Sequence, residues 1–337
     1  MKIIIASGGT LGHLTPILPV VKKLKEMGYQ IILYSSKELN FDKNYFNEVK
    51  NYKAYGLTKN IYKTVFKNYL TYKKLLKDLK QEQPNLLIGM GGYISGLAIL
   101  AASNQSIKTI IHEQNSVIGT ANKLVLKKVN FLIYSNKTLD VKIQNKIYLP
   151  NPRSEVASHY QKIYQKQNNQ ILIVSGSLGA KTLNEIGLIL CKQFKEYNFI
   201  LITGKRYFDD YKNKKMNNLK IIPRTNNLIK LICESKIVIS RAGATTISEI
   251  IGSKTVGIYI PSPNVTKNHQ LKNCNFIQEQ HLGLVINEQD IKEYNISSEL
   301  IKVIENYQEY QENLNRLEFN NVIEKYIKII GEVISKK

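Results

Sequence analysis

Two residues of this chain stand where a proton could be moved and an anionic sugar held. His13 lies in GGTLGHLTP, residues 8–16, at the mouth of a helix expected to open at Pro16. An imidazole titrates near neutrality, and a helix N-terminus helps keep it unprotonated, which suits a general base. A capping or surface histidine fits the same spacing. Glu249 closes SRAGATTISE, residues 240–249, after the apolar run KIVIS. Here the loop 241–244 should turn into a helix beginning near Thr245, offering backbone N–H groups to phosphate. Glu249, on about its first turn, could then accept both hydroxyls of a ribose; compensation of the helix macrodipole is the simpler alternative.

Around these residues, three apolar runs pass straight into glycine-rich turns: IIIASGGTLGH, LLIGMGGYISG and ILIVSGSLGAK. Glycine lets the backbone approach a ligand closely, and the amides and positive end of a following helix point at an anion. One such turn is weak evidence, since a tight strand-to-helix connection needs glycine anyway. Three of them, spread over both halves, suggest two nucleotide-type domains serving one anionic substrate. HEQN, residues 112–115, follows the strand-like TIIH and reads as a polar loop lining a cleft. KNHQLKN adds His269, Gln270 and Asn273, neutral groups suited to sugar hydroxyls. There is no Asp-x-Asp, and Asp209 with Asp210 falls in a charged helical stretch, so neither a metal-held diphosphate nor a cofactor is expected.

The elements that must position these residues alternate. KIIIA is followed by a helix from about Pro16 to Met27, with Val20, Val21, Leu24 and Met27 as its apolar stripe, and then by QIILY. Further strands are expected at Leu86 to Ile88, Thr109 to Ile111 and Phe131 to Tyr134. Pro150 and Pro152 in LPNPRSEV mark a linker. After the polar stretch from about Gln165 the alternation restarts with ILIVS, FILIT, KIVIS and VGIYI. The fold class is therefore α/β, two doubly wound parallel sheets in tandem, both covered on both faces. The tail from Ser297 reads as consecutive helices, and the last, from about Asn320 to Ser335, needs something to pack on.

The 337 residues suffice for two domains with separate cores. No signal peptide or membrane-spanning run is legible, and Cys191, Cys233 and Cys274 are widely spaced, so a cytoplasmic chain without disulfides is expected. The net charge is +22, but all but five of the 48 basic residues are lysine, as an AT-rich genome would produce. What charge remains to be explained points to nucleic acid, a phosphorylated substrate or an anionic membrane. Scattered lysines without a recognition motif argue against nucleic acid. Between Lys59 and Lys80, lysines interleave with Ile61, Val65, Phe66, Tyr69, Leu70, Leu75, Leu76 and Leu79, as in a basic amphipathic helix or helix pair. Lys63, Phe66, Lys67, Tyr69 and Lys74 are its candidate membrane face; an ordinary surface helix is the alternative.

GGTLGH, GMGGYISG, HEQN with Asn122 following, NPR, GSLGAK, SRAGATTISE and HQLKN occur in the order and context of the MurG family, which this chain resembles from residue 3 to about 285. The resemblance implies a GT-B fold, two Rossmann-like domains with a cleft between them. They would be 1–152, for acceptor and membrane, and 153–319, for UDP-GlcNAc, with the helix from about 320 to 337 returning to the first. It implies a peripheral enzyme on the cytoplasmic face of the cell membrane that transfers GlcNAc from UDP-GlcNAc to lipid I, giving lipid II, with inversion and no metal. Partners would be these two substrates, an anionic inner-leaflet surface and other wall-synthesis or division proteins.

Carried over by resemblance, the donor contacts fall on Thr10, Leu11, Gly12, Asn115, Arg153, Ser177, Thr225, Ala244, Thr245, Thr246, Ile247, Ser248, Glu249 and Gln270. Arg153 and Ser177 would hold the diphosphate, Glu249 the ribose and Gln270 the amino sugar, with His13 as base. Gly91, Gly92, Tyr93 and Ser95 would form the acceptor phosphate loop. Three positions depart from the usual pattern: Leu11 stands where glycine is commonest, NPRS is one residue shorter than NP-x-R, and Arg224 with Thr225 replaces an aromatic-aliphatic pair near the uracil. Another lipid-directed GT-B transferase, of the diacylglycerol glucosyltransferase type, is the alternative enzyme, and HEQN with GMGGYISG counts against it. A silent nucleotide-sugar-binding scaffold would not need both His13 and Glu249.

Overall fold

The computed structural model describes residues 1–8, 11–36, 41–56, 61–176, 178–263, 268–291 and 293–336. They form two compact units, one of residues 1–152 with 321–337, the other of residues 153–320. The first holds a seven-stranded sheet: β1 (Lys2–Ser7), β2 (Gln30–Ser35), β3 (Glu48–Asn51), β4 (Leu86–Gly91), β5 (Lys108–Glu113), β6 (Phe131–Tyr134) and β7 (Lys146–Tyr148), in the order β3-β2-β1-β4-β5-β6-β7. The second holds β8 (Gln167–Val174), β9 (Asn198–Ile202), β10 (Leu219–Ile222), β11 (Ser235–Ser240), β12 (Val256–Tyr259) and β13 (Gly283–Val285), in the order β10-β9-β8-β11-β12-β13. Every pairing is parallel.

Parallel strands buried on both faces need apolar residues at successive positions, which is why KIIIA carries no polar alternation. Ile3 and Ile5 enter the core on one face and Ile4 and Ala6 the core on the other. The helix Val322–Ser335 closes the first of these cores with Val322, Tyr326, Ile329, Ile330 and Val333. The distant tail thus completes the N-terminal unit.

Strand order reverses between β1 and β4 in one sheet and between β8 and β11 in the other. At such switch points the connections leave in opposite directions and open a crevice beyond the carboxyl ends of the strands. The turns after β1 and β4 are the first two glycine-rich runs. Those after β8 and β11 are GSLGAK and SRAGA.

Some expectations are corrected. The helix placed from Pro16 to Met27 begins earlier, as Leu11–Leu14, passes through a 3₁₀ turn at Thr15–Ile17, and resumes as Leu18–Glu26. Pro16 cannot donate the N–H an uninterrupted helix requires. His13 therefore sits inside the first short helix. The linker at Pro150 to Pro152 is brief, for Pro152 is already the first residue of the helix Pro152–Gln161, a position where its missing N–H costs nothing. The polar stretch before ILIVS is itself strand, since β8 begins at Gln167.

Candidate functional site

In the first unit, the end of β4 and the Leu11–Leu14 helix meet backbone to side chain. A Cβ on Gly91 would lie 2.9 Å from Nδ1 of His13, and Gly91 has φ +113°, so only glycine lets the imidazole come this close to that turn. Gly92 is as constrained, with φ +82° and the Gly8 backbone 2.8 Å from where a Cβ would stand. Gly8 N–H donates to the Gly91 carbonyl at 3.0 Å. Tyr93 and Ser95 open the helix Tyr93–Ser103 that follows, Ser95 fully buried. Leu11 and Gly12 flank His13 on its short helix.

HEQN is not a polar loop. His112 and Glu113 are the last residues of β5, and His112, Glu113 and Gln114 are all buried. His112 Nε2 lies 2.8 Å from Ser135 Oγ, and its ring meets Tyr326 edge-on at 5.5 Å. Burial alone pushes its pKa down to about 3, so it is a neutral core residue. Glu113 is the hub. Its Oε1 accepts from Gln114 N (3.1 Å), Asn115 N (3.1 Å) and Asn115 Nδ2 (3.2 Å), and its Oε2 from Gly119 N (3.0 Å) and Asn122 Nδ2 (2.9 Å). The loop so fixed aims Gln114, whose Nε2 donates to the carbonyls of His13 at 3.1 Å and Met90 at 3.3 Å. Asn115 is thus brought to the same sheet end as His13, with its amide already on Glu113.

Neither Glu113 nor Gln114 stands out as a positioning residue in the sequence. The legible signal is a carboxylate ending an otherwise apolar strand and followed by amides at 114, 115 and 122: a buried acid needs donors, and these are the nearest.

In the second unit the helix Ala244–Gly252 leaves β11 through the loop 241–243, with Thr245, Thr246 and Ser248 partly exposed along it. Ile247 turns its side chain into the core, so only its backbone could serve a ligand. Ser248 Oγ donates back to the Ala244 carbonyl at 2.8 Å. Glu249, expected near the first turn, is the sixth helical residue and is buried, its side chain 4% exposed. Arg153 answers it, with Nε and Nη2 each 2.7 Å from Oε1. Burial pushes the Glu249 carboxyl up and the guanidinium pulls it back, with burial the larger effect.

The loop carrying these groups is braced elsewhere. Arg241 forks onto Glu288 at 2.9 and 2.8 Å, which removes it as a phosphate ligand in this arrangement. Asn273, matched in sequence to sugar hydroxyls, is buried and donates to the Ala242 carbonyl at 3.2 Å. Gln270 accepts from Ser262 N at 2.9 Å. Thr225 lies in the loop after β10, its Oγ1 accepting from Asn227 N at 3.0 Å ahead of the helix Leu228–Glu234. Thr10 and Ser177 lie outside the described residues. Among the described residues no cluster of His, Cys, Asp or Glu could hold a metal ion.

Comparison with known proteins bears on the whole chain. The Glycosyltransferase family 28 N-terminal domain matches residues 3–132 and the Glycosyltransferase family 28 C-terminal domain residues 170–327. The UDP-N-acetylglucosamine--N-acetylmuramyl-(pentapeptide) pyrophosphoryl-undecaprenol N-acetylglucosamine transferase of Lactobacillus helveticus is 33% identical, over 90% of this chain and 91% of that protein. The chain belongs to the MurG family. The Lactobacillus acidophilus protein of the same name is 31% identical over 99% of this chain and all of its own length. The crystal structure of Acinetobacter baumannii MurG superposes with a TM-score of 0.78 over 98% of this chain and 99% of that one, at 22% identity, and shows the shared fold. Of the three departures from the expected motif pattern, NPR carries the arginine that pairs with Glu249.

Proposed function

We propose that this chain transfers GlcNAc from UDP-GlcNAc to the 4-hydroxyl of MurNAc in lipid I, giving lipid II, by a single inverting displacement without metal. The observation that carries the reading is the seating of His13 on the Gly91 turn at the first switch point, its backbone held by Gln114. A base so placed would take the proton of the acceptor hydroxyl as it attacks the anomeric carbon. Amides at the start of the Ala244–Gly252 helix, with Ser177, would meet the charge that develops on the departing UDP. Glu249 would accept from the ribose and Gln270 from the amino sugar, while Gly91, Gly92 and Tyr93 would face the acceptor phosphates; Ser95, expected in that loop, is fully buried and would act only from beneath it. Purified protein given UDP-GlcNAc and a short-chain lipid I analogue should release UDP and form the disaccharide, also in EDTA. Turnover only with UDP-glucose and diacylglycerol would assign the alternative enzyme instead.

The acceptor is a lipid, and no described helix is long and apolar enough to cross a membrane. The segment expected as one helix or two is a single helix, Ile61–Glu82. Its second half is tied down: Lys50 bridges Asp78 at 2.9 Å and Glu82 at 2.6 Å, Lys2 reaches Glu82 at 2.8 Å, and Tyr34 donates to Asp78. Its first half instead exposes Ile61, Val65, Tyr69 and Leu70, with Tyr62 at 90% and Phe66 at 63%. Such an apolar face beside Lys63, Lys67 and Lys74 suits an anionic lipid surface, where each lysine contributes about 1 kcal/mol. Charge reversal of these three lysines should weaken cosedimentation with anionic vesicles and leave donor affinity unchanged, and wild-type binding should fade with salt. Sedimentation indifferent to both changes would place the membrane face elsewhere.

A further inference from the structure

We propose that Arg153 is a positioning residue: it fixes and neutralises the Glu249 carboxylate for the donor ribose, and is not itself a ligand of the diphosphate. The proposal rests on the donor reading given above. Two of its nitrogens converge on one carboxylate oxygen at 2.7 Å each, a geometry specific to a guanidinium. The partner is buried, and an ionised carboxylate there requires a cation beside it. Pulling Arg153 away toward a phosphate would leave that charge uncompensated.

The backbone makes the pairing rigid. Arg153 is the second residue of the helix Pro152–Gln161, and the next residue, Ser154, presses its carbonyl against Gly252 so closely that a Cβ there would stand 2.4 Å from it. The start of one helix is thus locked to the end of the helix that carries Glu249. Other charged groups on neighbouring elements are otherwise engaged. Lys230 and Glu234, on the adjacent helix Leu228–Glu234, pair with each other at 3.8 Å, and Glu155 lies buried two residues along from Arg153 on a different face of the helix.

The test compares ligands that share the ribose and differ in the diphosphate. Binding of uridine and of UDP-GlcNAc is measured for wild type, Arg153→Gln, Arg153→Lys, Glu249→Gln and the double variant Arg153→Gln/Glu249→Gln. Arg153→Gln should weaken both ligands by the same factor, roughly tenfold, the scale of a hydrogen bond to a charged group. The loss should be larger at pH 6 than at pH 8.5, because without the guanidinium the buried carboxyl holds its proton to higher pH. Arg153→Lys, which restores the charge but not the two-nitrogen contact, should recover part of the affinity for both ligands alike, and Arg153→Gln should cost nothing further in the Glu249→Gln background. That background, in which the charge needing the arginine is gone, also keeps the comparison among folded proteins. Loss of UDP-GlcNAc binding with uridine unaffected, or full additivity in the double variant, would overturn the proposal in favour of a diphosphate contact. A folded wild type that binds neither ligand would instead remove the donor reading on which it rests.

Discussion

Replacing His13 by alanine is expected to lower turnover by roughly two to four decades, the range for losing a general base, with UDP-GlcNAc affinity nearly intact. The separation follows from the architecture. His13 belongs to the first unit, where its ring lies on Gly91, while the groups proposed for the donor other than those at residues 10–12 and 115 belong to the second. The truncation leaves the backbone contact from Gln114 in place, because the His13 carbonyl and not its ring accepts that bond. Steady-state rates with a lipid I analogue, beside donor titrations, make the measurement. Equal losses in binding and turnover would make His13 a structural residue.

Glu113→Ala is expected to destabilise the first unit by about 3–5 kcal/mol: five N–H bonds end on this carboxylate, the two that are buried would each cost about 1–3 kcal/mol without an acceptor, and the three part-buried ones can turn in part to water. A loss of that size is a large fraction of a domain's stability. The damage should also reach His13, because the loop that aims Gln114 is held by the same acceptor. Two-unit chains with separate cores can unfold in separate steps. Calorimetry should therefore show a transition lowered in the variant while another, belonging to the second unit, stays in place. Glu113→Gln, which keeps one acceptor oxygen, should lie between alanine and wild type. A Glu113→Ala variant as stable as wild type would mean that the surrounding amides find other partners, and the hub would lose its meaning.

Much of the fold was legible from the chain alone, and the reason is the chemistry of buried parallel strands. KIIIA, QIILY, ILIVS and KIVIS are covered on both faces, so each announces itself as an unbroken apolar run. The strands that went unread are short ones at or near the sheet edges: EVKN of β3, KIY of β7, LKII of β10 and GLV of β13. An edge strand is paired on one side only and in part solvated, so its composition need not differ from that of a loop. The glycine turns were equally plain, because a backbone that touches another backbone or an imidazole tolerates no Cβ, and that demand is written in the residue itself.

What the sequence by itself determined, then, was local: which segments are strands, where the chain turns on glycine, and which side chains have the right chemistry. Which turns stand side by side was decided by the tertiary structure, because β1 neighbours β4 and β8 neighbours β11 only once the sheets are wound. The same holds for the partners of polar groups. HEQN looks like a solvated loop in one dimension and becomes a buried hub in three, and Arg153 and Glu249, 96 residues apart, meet as a pair. A charged or polar side chain taken out of water must be satisfied by whatever the fold brings to it. That partner is set by packing across the chain, and no spacing along it records the choice.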